Sequence, residues 1–423
     1  MDAPGSAEQQ ALGFSAERLG RIESVVEADV RRGAIPGAVM LIARRGRLAY
    51  AREFGWRDPV AGSRMRLDCL FRIASMTKPV ASVAALLLVE EGRLQLGDPI
   101  AKYLPQLGER RVVGPLGMTE LQPAARDITI QDLLRHTAGF TYGEFGTSVA
   151  HRAYAAADLM NPQQTSEELV EKLARLPLLH QPGTTFEYGL STDVLGRIIE
   201  VVSGFGLDQF IAERIARPLQ LESFRFQVAG GDADRLARAL PDSKEDEEHN
   251  ALNRELRPSR WISGGGGLIC NGLDYLRFAQ TLLNGGELEG VRLLGPKTVA
   301  LMASDALPPD VRYGEYALGS IAPTGAMGQG FGLGLTVRTA AGRNPLPGSP
   351  GDCSWAGRWG TYFWFDPAEE LACVVMMHAS AERMRYRALA RVLVYQALET
   401  LGISQGRRFE SGCPDQFRPN PAP

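Results

Sequence analysis

Strand-forming sequence lies at the two ends of this 423-residue chain, and the middle is built differently. Gly37-Ala-Val-Met-Leu-Ile-Ala43 is a continuous apolar run of strand length, and Arg44-Arg-Gly-Arg47 turns it into a second strand, Leu48 to Arg52. From about Asp98 to Pro258, helical segments and long Pro/Gly-rich loops dominate. Strand signals return after Trp261, in Leu268-Ile-Cys270, Gly330 to Val337, Thr361 to Phe365 and Leu371 to Met377. Asp366-Pro-Ala-Glu-Glu370 joins the last two as a hairpin-type connection. The pattern predicts an α/β (α+β) fold in which an antiparallel sheet is flanked by helices. Residues 1–97 and 259–423 would form one discontinuous α/β domain, with a mostly helical domain, 98–258, inserted. A site would lie in the cleft between them.

Helix signals agree with that division. Leu19, Ile22, Val26 and Val30 fall at helical spacing between a capping Ser15 and Arg32, with Gly33 beyond the end. Thr129-Ile-Gln-Asp132 reads as a capping box opening a helix from Ile130 to His136, with Gly139 as its left-handed stop. Further helices are expected over Ser166–Leu176, Asp193–Val202, Leu273–Leu283 and Ala381–Leu401. The acidic run from Pro241 to His249 reads as a solvated loop, and the Pro-rich tail after Arg407 as loose chain. There are no internal repeats.

Composition narrows the function. A net charge of 46 − 49 = −3 offers nothing to nucleic acid. The longest apolar run is too short for a bilayer, and the first residues lack the basic start and apolar stretch of a secretory signal. Five scattered cysteines without a Cys-x-x-Cys pair read as reduced thiols of a cytoplasmic protein. The five histidines are dispersed, and no His-Glu-x-x-His occurs, so neither a metal nor a cofactor is expected.

Chemistry enters at Phe71-Arg-Ile-Ala-Ser-Met-Thr-Lys-Pro-Val80, followed by apolar sequence to Val89 and an exit at Glu90-Glu-Gly92. Ser-x-x-Lys is a short motif that chance often supplies; of the 21 serines, Ser75 alone has a lysine three residues later. On a helix starting near Ser75, Ser75 and Lys78 share one face, about 5–6 Å apart at Cβ. That arrangement suits a serine nucleophile whose proton passes to an amine. Pro79 belongs near a helix start and biases Lys78 away from helical angles.

Two later stretches add to this. Gln181-Pro-Gly-Thr-Thr-Phe-Glu-Tyr-Gly-Leu-Ser-Thr-Asp193 places Tyr188 on a loop before a helix. An ammonium beside a phenol favours the phenolate. In Ser354-Trp-Ala-Gly-Arg-Trp-Gly-Thr-Tyr362, Gly357 and Gly360 permit close backbone approach to a ligand.

Ser75-Met-Thr-Lys78, Tyr188-Gly-Leu190 and Trp355-Ala-Gly357 together resemble the three ordered motifs of the serine β-lactamase and penicillin-binding-protein superfamily. The resemblance is nearest to its family VIII carboxylesterases, the esterase branch similar to class C β-lactamases. It runs from about Phe14 to Leu401 and includes Leu133-Leu-Arg-His-Thr-Ala-Gly139, Pro182-Gly183 and Ser263-Gly-Gly-Gly-Gly-Leu268. It implies that Ser75 is acylated and that Lys78 and Tyr188 exchange its proton. The backbone N–H groups of Ser75 and Arg358 would form the oxyanion hole, with Trp355, Ala356, Gly357 and Leu190 lining the substrate site. Trp355 and Ala356 replace the cationic residue and threonine of β-lactamases, and Leu190 replaces an asparagine. These departures point to uncharged acyl esters.

Other features read as structural. Gly402-Ile-Ser-Gln-Gly406 matches a nucleophile elbow around Ser404, but it follows a helix and no histidine occurs after His378. His136 reads as a helix-end cap. Gly330-Phe-Gly-Leu-Gly334 lacks a dinucleotide-loop setting, and Gly264 to Gly267 lack a following Lys-Ser/Thr. The function expected is hydrolysis of short-chain esters, a small-molecule reaction without nucleic acid or membrane. Rivals are acyl transfer, a D-amino-acid amidase or peptidase, and a non-catalytic binding protein. Weak β-lactamase activity is a further expectation.

Overall fold

Every residue of the strand Gly37–Arg44 (β1) is buried. Val39, Leu41 and Ala43 enter one core, while Ala38, Met40 and Ile42 enter another on the opposite face. A strand covered on both faces has no solvent side, hence the unbroken apolar run. The computed structural model describes residues 4–114, 120–228, 230–241, 243, 259–314 and 324–402.

Seven further strands complete one sheet: Arg47–Asp58 (β2), Ser63–Arg64 (β3), Gln329–Phe331 (β4), Thr336–Arg338 (β5), Cys353–Ala356 (β6), Tyr362–Asp366 (β7) and Leu371–Met377 (β8). Their order is β4-β5-β6-β7-β8-β1-β2-β3. The two ends of the chain meet at β1 and β8, which pair antiparallel from Ala38↔Met377 to Arg44↔Leu371. One face carries the helices Ala16–Arg31 (α1) and Arg383–Tyr395, through Leu19, Ile22, Val26, Tyr386, Ala390 and Val394. Against the other pack Thr77–Glu90 (α2) and Gly272–Leu283, whose apolar residues share a core with the helical segments of the middle of the chain. Among the described residues, no helix is long and apolar enough to cross a membrane.

Several expected boundaries shift for identifiable reasons. The stretch Gly330 to Val337 is a hairpin, β4 and β5, rather than one strand, because Gly332 N–H bonds back to Leu335 O. The closing helix stops at Tyr395, where the chain is captured by its own N-terminus: Ser15 N–H donates to Ala397 O, and Phe14 bridges to Leu398. The helix after Thr129 ends at Leu134, before Gly139, because His136 itself takes a left-handed backbone (φ 56°). Lys78 is helical despite Pro79, since a proline in the first turn needs no N–H partner. Ser404, most of the acidic run, Cys413 and the tail after Arg407 lie outside the described residues. The other four cysteines are buried and unbridged.

Candidate active site

The segment before Ser75 is held by the stretch Leu268–Cys270. Phe71–Arg72 pairs antiparallel with Ile269–Cys270, and Ile73 N–H donates to Leu268 O. Ala74 then adopts a left-handed backbone, φ 45°. For a residue with a Cβ this costs on the order of 1–3 kcal/mol and persists only where neighbours impose it. Ser75 sits on a single tight turn, Ala74–Met76, and α2 begins at Thr77, two residues later than the expected start. Thr77 Oγ1 donates to Ala74 O at 2.7 Å and accepts from Leu268 N–H at 3.0 Å. Tyr275 OH donates to Met76 O at 2.8 Å. These buried bonds fix the turn that aims Ser75.

Lys78 is 1% exposed. Its Nζ lies 3.2 Å from Ser75 Oγ, 3.3 Å from Tyr142 OH and 2.7 Å from Gly265 O. The serine and lysine expected to act together are therefore in contact. Tyr188 reaches the same place differently. Its ring centroid is 4.7 Å from Nζ, and its buried hydroxyl has no hydrogen-bond partner among the described residues. The phenol that hydrogen-bonds the amine is Tyr142, which sequence reasoning did not select. Burial, with Asp193 nearby, pushes the Tyr142 phenol well above its ordinary value, so it stays protonated.

Two more groups were missed. Asp193 Oδ1 accepts from Ser263 Oγ at 2.6 Å and from Gly265 N–H at 3.0 Å, and burial raises its pKa against the pull of Lys78. Gly265 O is the shortest contact of Lys78. Asp193 and Gly265 stood inside stretches already singled out, but a backbone carbonyl's partner has no sequence signal. Tyr142 stands three residues beyond Gly139, the end of the Leu133–Gly139 stretch, the only hint of it.

His136 does not cap its helix. Among the described residues neither ring nitrogen has a hydrogen-bond partner, and the ring packs against Tyr188 at 4.8 Å between centroids. Burial, then the charge of Lys78, drives its pKa well below the ordinary value, so the imidazole is neutral.

The third motif forms the opposite wall. The Trp355 ring stands edge-on to Tyr188, centroids 5.3 Å apart. Gly357 lies close against backbone: a Cβ there would lie 2.5 Å from Ile73 O. Thr361 Oγ1 donates to Ile73 O at 3.2 Å, and Gly357 N–H to Thr361 O at 2.7 Å. These bonds draw the turn bearing Arg358 against the nucleophile segment. The Arg358 side chain reaches across to Glu144 at 2.9 Å.

Ser75, Tyr142, Tyr188, Leu190, Trp355, Ala356 and Arg358 line one cavity of about 1610 Å³; Gly357 does not. The model of the family described as Beta-lactamase matches residues 22–396. The chain belongs to the Beta-lactamase family. Within it, this chain is 39% identical to Protein Rv1367c of Mycobacterium tuberculosis over 82% of its own length and 86% of that protein's. It is 30% identical to Esterase EstB of Burkholderia gladioli, covering 88% of this chain and 93% of the relative. Among solved structures it resembles EstCE1, described as a hydrolase with promiscuous acyltransferase activity: TM-score 0.74, 28% identity, 92% of this chain and 100% of that one. The expected membership and fold are thus established, and this Beta-lactamase-family chain carries its sheet and helices in the family arrangement.

Proposed function

We propose that this protein is a serine carboxylesterase that works through an acyl-enzyme on Ser75. The observation that carries the reading is the Lys78 Nζ to Ser75 Oγ contact, 3.2 Å, beside a large cavity. The three neighbours of Nζ suit both protonation states of the amine. An ammonium donates to all of them, while a neutral amine accepts from the Ser75 hydroxyl and donates to Tyr142 and Gly265. The serine proton can therefore move without rearrangement.

In the reaction, the Ser75 Oγ–H proton passes to the coupled Lys78 and Tyr188 pair as Oγ bonds to the acyl carbon. Backbone N–H groups of Ser75 and Arg358 receive the oxyanion, each worth about 2.7–4 kcal/mol. The carbon–oxygen bond to the alkoxy group breaks, and that oxygen takes the proton back. Tyr188 OH, buried and without a hydrogen-bond partner among the described residues, is suited to deliver it. Water then gives one proton to the same pair, adds to the acyl carbon and expels Ser75, which is reprotonated. Trp355, Ala356 and Leu190 offer no cation or amide to a β-lactam, so turnover of a chromogenic cephalosporin should be slow.

Acyl transfer is a second reading, favoured by cavity size. About 1610 Å³ exceeds the roughly 300–1,000 Å³ of common ligand sites and leaves room for an acceptor alcohol beside the acyl-enzyme. Ser75→Ala should abolish p-nitrophenyl ester hydrolysis and fluorophosphonate labelling, while Ser404→Ala keeps both; the reverse result refutes the assignment. Added alcohols that divert product from acid to ester would favour transfer.

A further inference from the structure

Asp193 is a carboxylate 3% exposed, on the cavity wall in the first turn of the helix Ser191–Ser203. Among the described residues it forms no ion pair. An unpaired buried carboxylate is costly, and its bonds from Ser263 Oγ and Gly265 N–H both end on Oδ1. They clamp the loop that carries Gly265, and Gly265 turns its carbonyl to Lys78. The two are closely packed: a Cβ at Gly265 would fall 2.3 Å from Asp193 Oδ2 and displace the carboxylate. One carboxylate thus holds the loop whose carbonyl makes the closest contact to the amine.

We propose that Asp193 is the positioning residue for Lys78, holding the loop whose Gly265 carbonyl fixes the amine and setting a negative charge in its surroundings. The inference rests on the esterase reading. Other groups share the field: the phenols of Tyr142 and Tyr188, the neutral ring of His136, and the Glu144–Arg358 pair at the cavity. A negative charge near an amine or a phenol holds its proton in place, and Asp193→Asn removes that charge. The pH at which activity rises therefore falls, whichever member of the pair is the base.

The test compares wild type, Asp193→Asn and Ser263→Ala as full-length chains. It measures kcat and KM for p-nitrophenyl butyrate across pH and the rate of fluorophosphonate labelling at Ser75. Asparagine keeps the volume and an accepting oxygen but not the charge. The rising limb should move down by about one unit. The plateau kcat should drop about tenfold, because a weaker base takes the serine proton, with KM changed less than about twofold. In Ser263→Ala the charge stays and the clamp loosens, so labelling slows severalfold while the limb stays in place. An Asp193→Asn limb at the wild-type pH overturns the proposal. If Asp193→Asn lacks a cooperative melt, Ser263→Ala decides: wild-type labelling overturns the proposal, and slowed labelling supports it. A wild type that neither hydrolyses the ester nor labels at Ser75 overturns the esterase reading and this inference with it. A wild type that does both, with an unmoved Asp193→Asn limb, overturns this inference alone.

Discussion

Tyr142 and Tyr188 flank the same ammonium with different parts of the same side chain. Tyr142 offers its oxygen at 3.3 Å, and Tyr188 its ring face at 4.7 Å. The two phenols should separate on mutation to phenylalanine. Tyr188→Phe removes the group suited to protonate the leaving oxygen and should lower kcat by about 10²–10⁴, the usual span for general acid–base catalysis. Tyr142→Phe removes only an acceptor from Lys78 and should cost about tenfold, since a second acceptor, Gly265 O, remains. Steady-state kinetics on one p-nitrophenyl ester checks both, and equal losses would contradict the division. Ser75, Lys78 and Tyr188 were legible because each stands in a short ordered motif. Tyr142 was not, because its contact with Lys78 spans 64 positions and leaves no local pattern.

The short helix Ile130–Leu134 supports both tyrosines from below. Asp132 closes its capping box, exchanging bonds with Thr129, and also accepts from Arg126, Arg135 and Thr137. The chain beyond the helix is then tied to the Tyr188 loop by Glu187 N–H to His136 O and Gly183 N–H to Thr137 O. Burial alone would raise the Asp132 pKa, but the hydrogen bonds from Arg126, the Thr129 N–H and Thr137 outweigh it and hold the group at about 2, against 3.8 when free. A depressed carboxylate stabilises the fold above its unfolded pKa, and this contribution disappears as pH falls through the folded one. The difference corresponds to about 2 kcal/mol. Asp132→Asn should therefore lose about that much at pH 7 in urea unfolding. The gap from wild type should be constant above about pH 5 and shrink as pH falls from 3.8 toward 2. The capping box was readable from Thr129-Ile-Gln-Asp132; the arginines converging on it were not.

Across the molecule, buried ion pairs join segments far apart in the chain. Asp352, 2% exposed, accepts from Arg338 Nε at 2.7 Å and from Arg391 Nη1 and Nη2 at 3.0 and 2.9 Å. It locks β5 and the approach to β6 onto the helix Arg383–Tyr395. Asp352→Ala would leave two buried guanidiniums without a counter-charge and should destabilise the protein by about 3–5 kcal/mol in urea unfolding. Breaking the exposed pair Arg31–Glu27 should change stability by less than about 1 kcal/mol. Local pattern alone determined that the strands gather at both ends of the chain, that β1 is buried on both faces, and that Ser75 precedes a helix carrying Lys78. These follow from periodicity, turn residues and spacing, which act over a few positions. Only the tertiary structure decided that Ala74 is forced left-handed, that Gly357 packs against Ile73, and that Tyr142, Gly265 and Asp193 surround the amine. Those outcomes depend on loops closing over long stretches of chain, where packing and buried polar groups needing partners, not local preference, choose the neighbours.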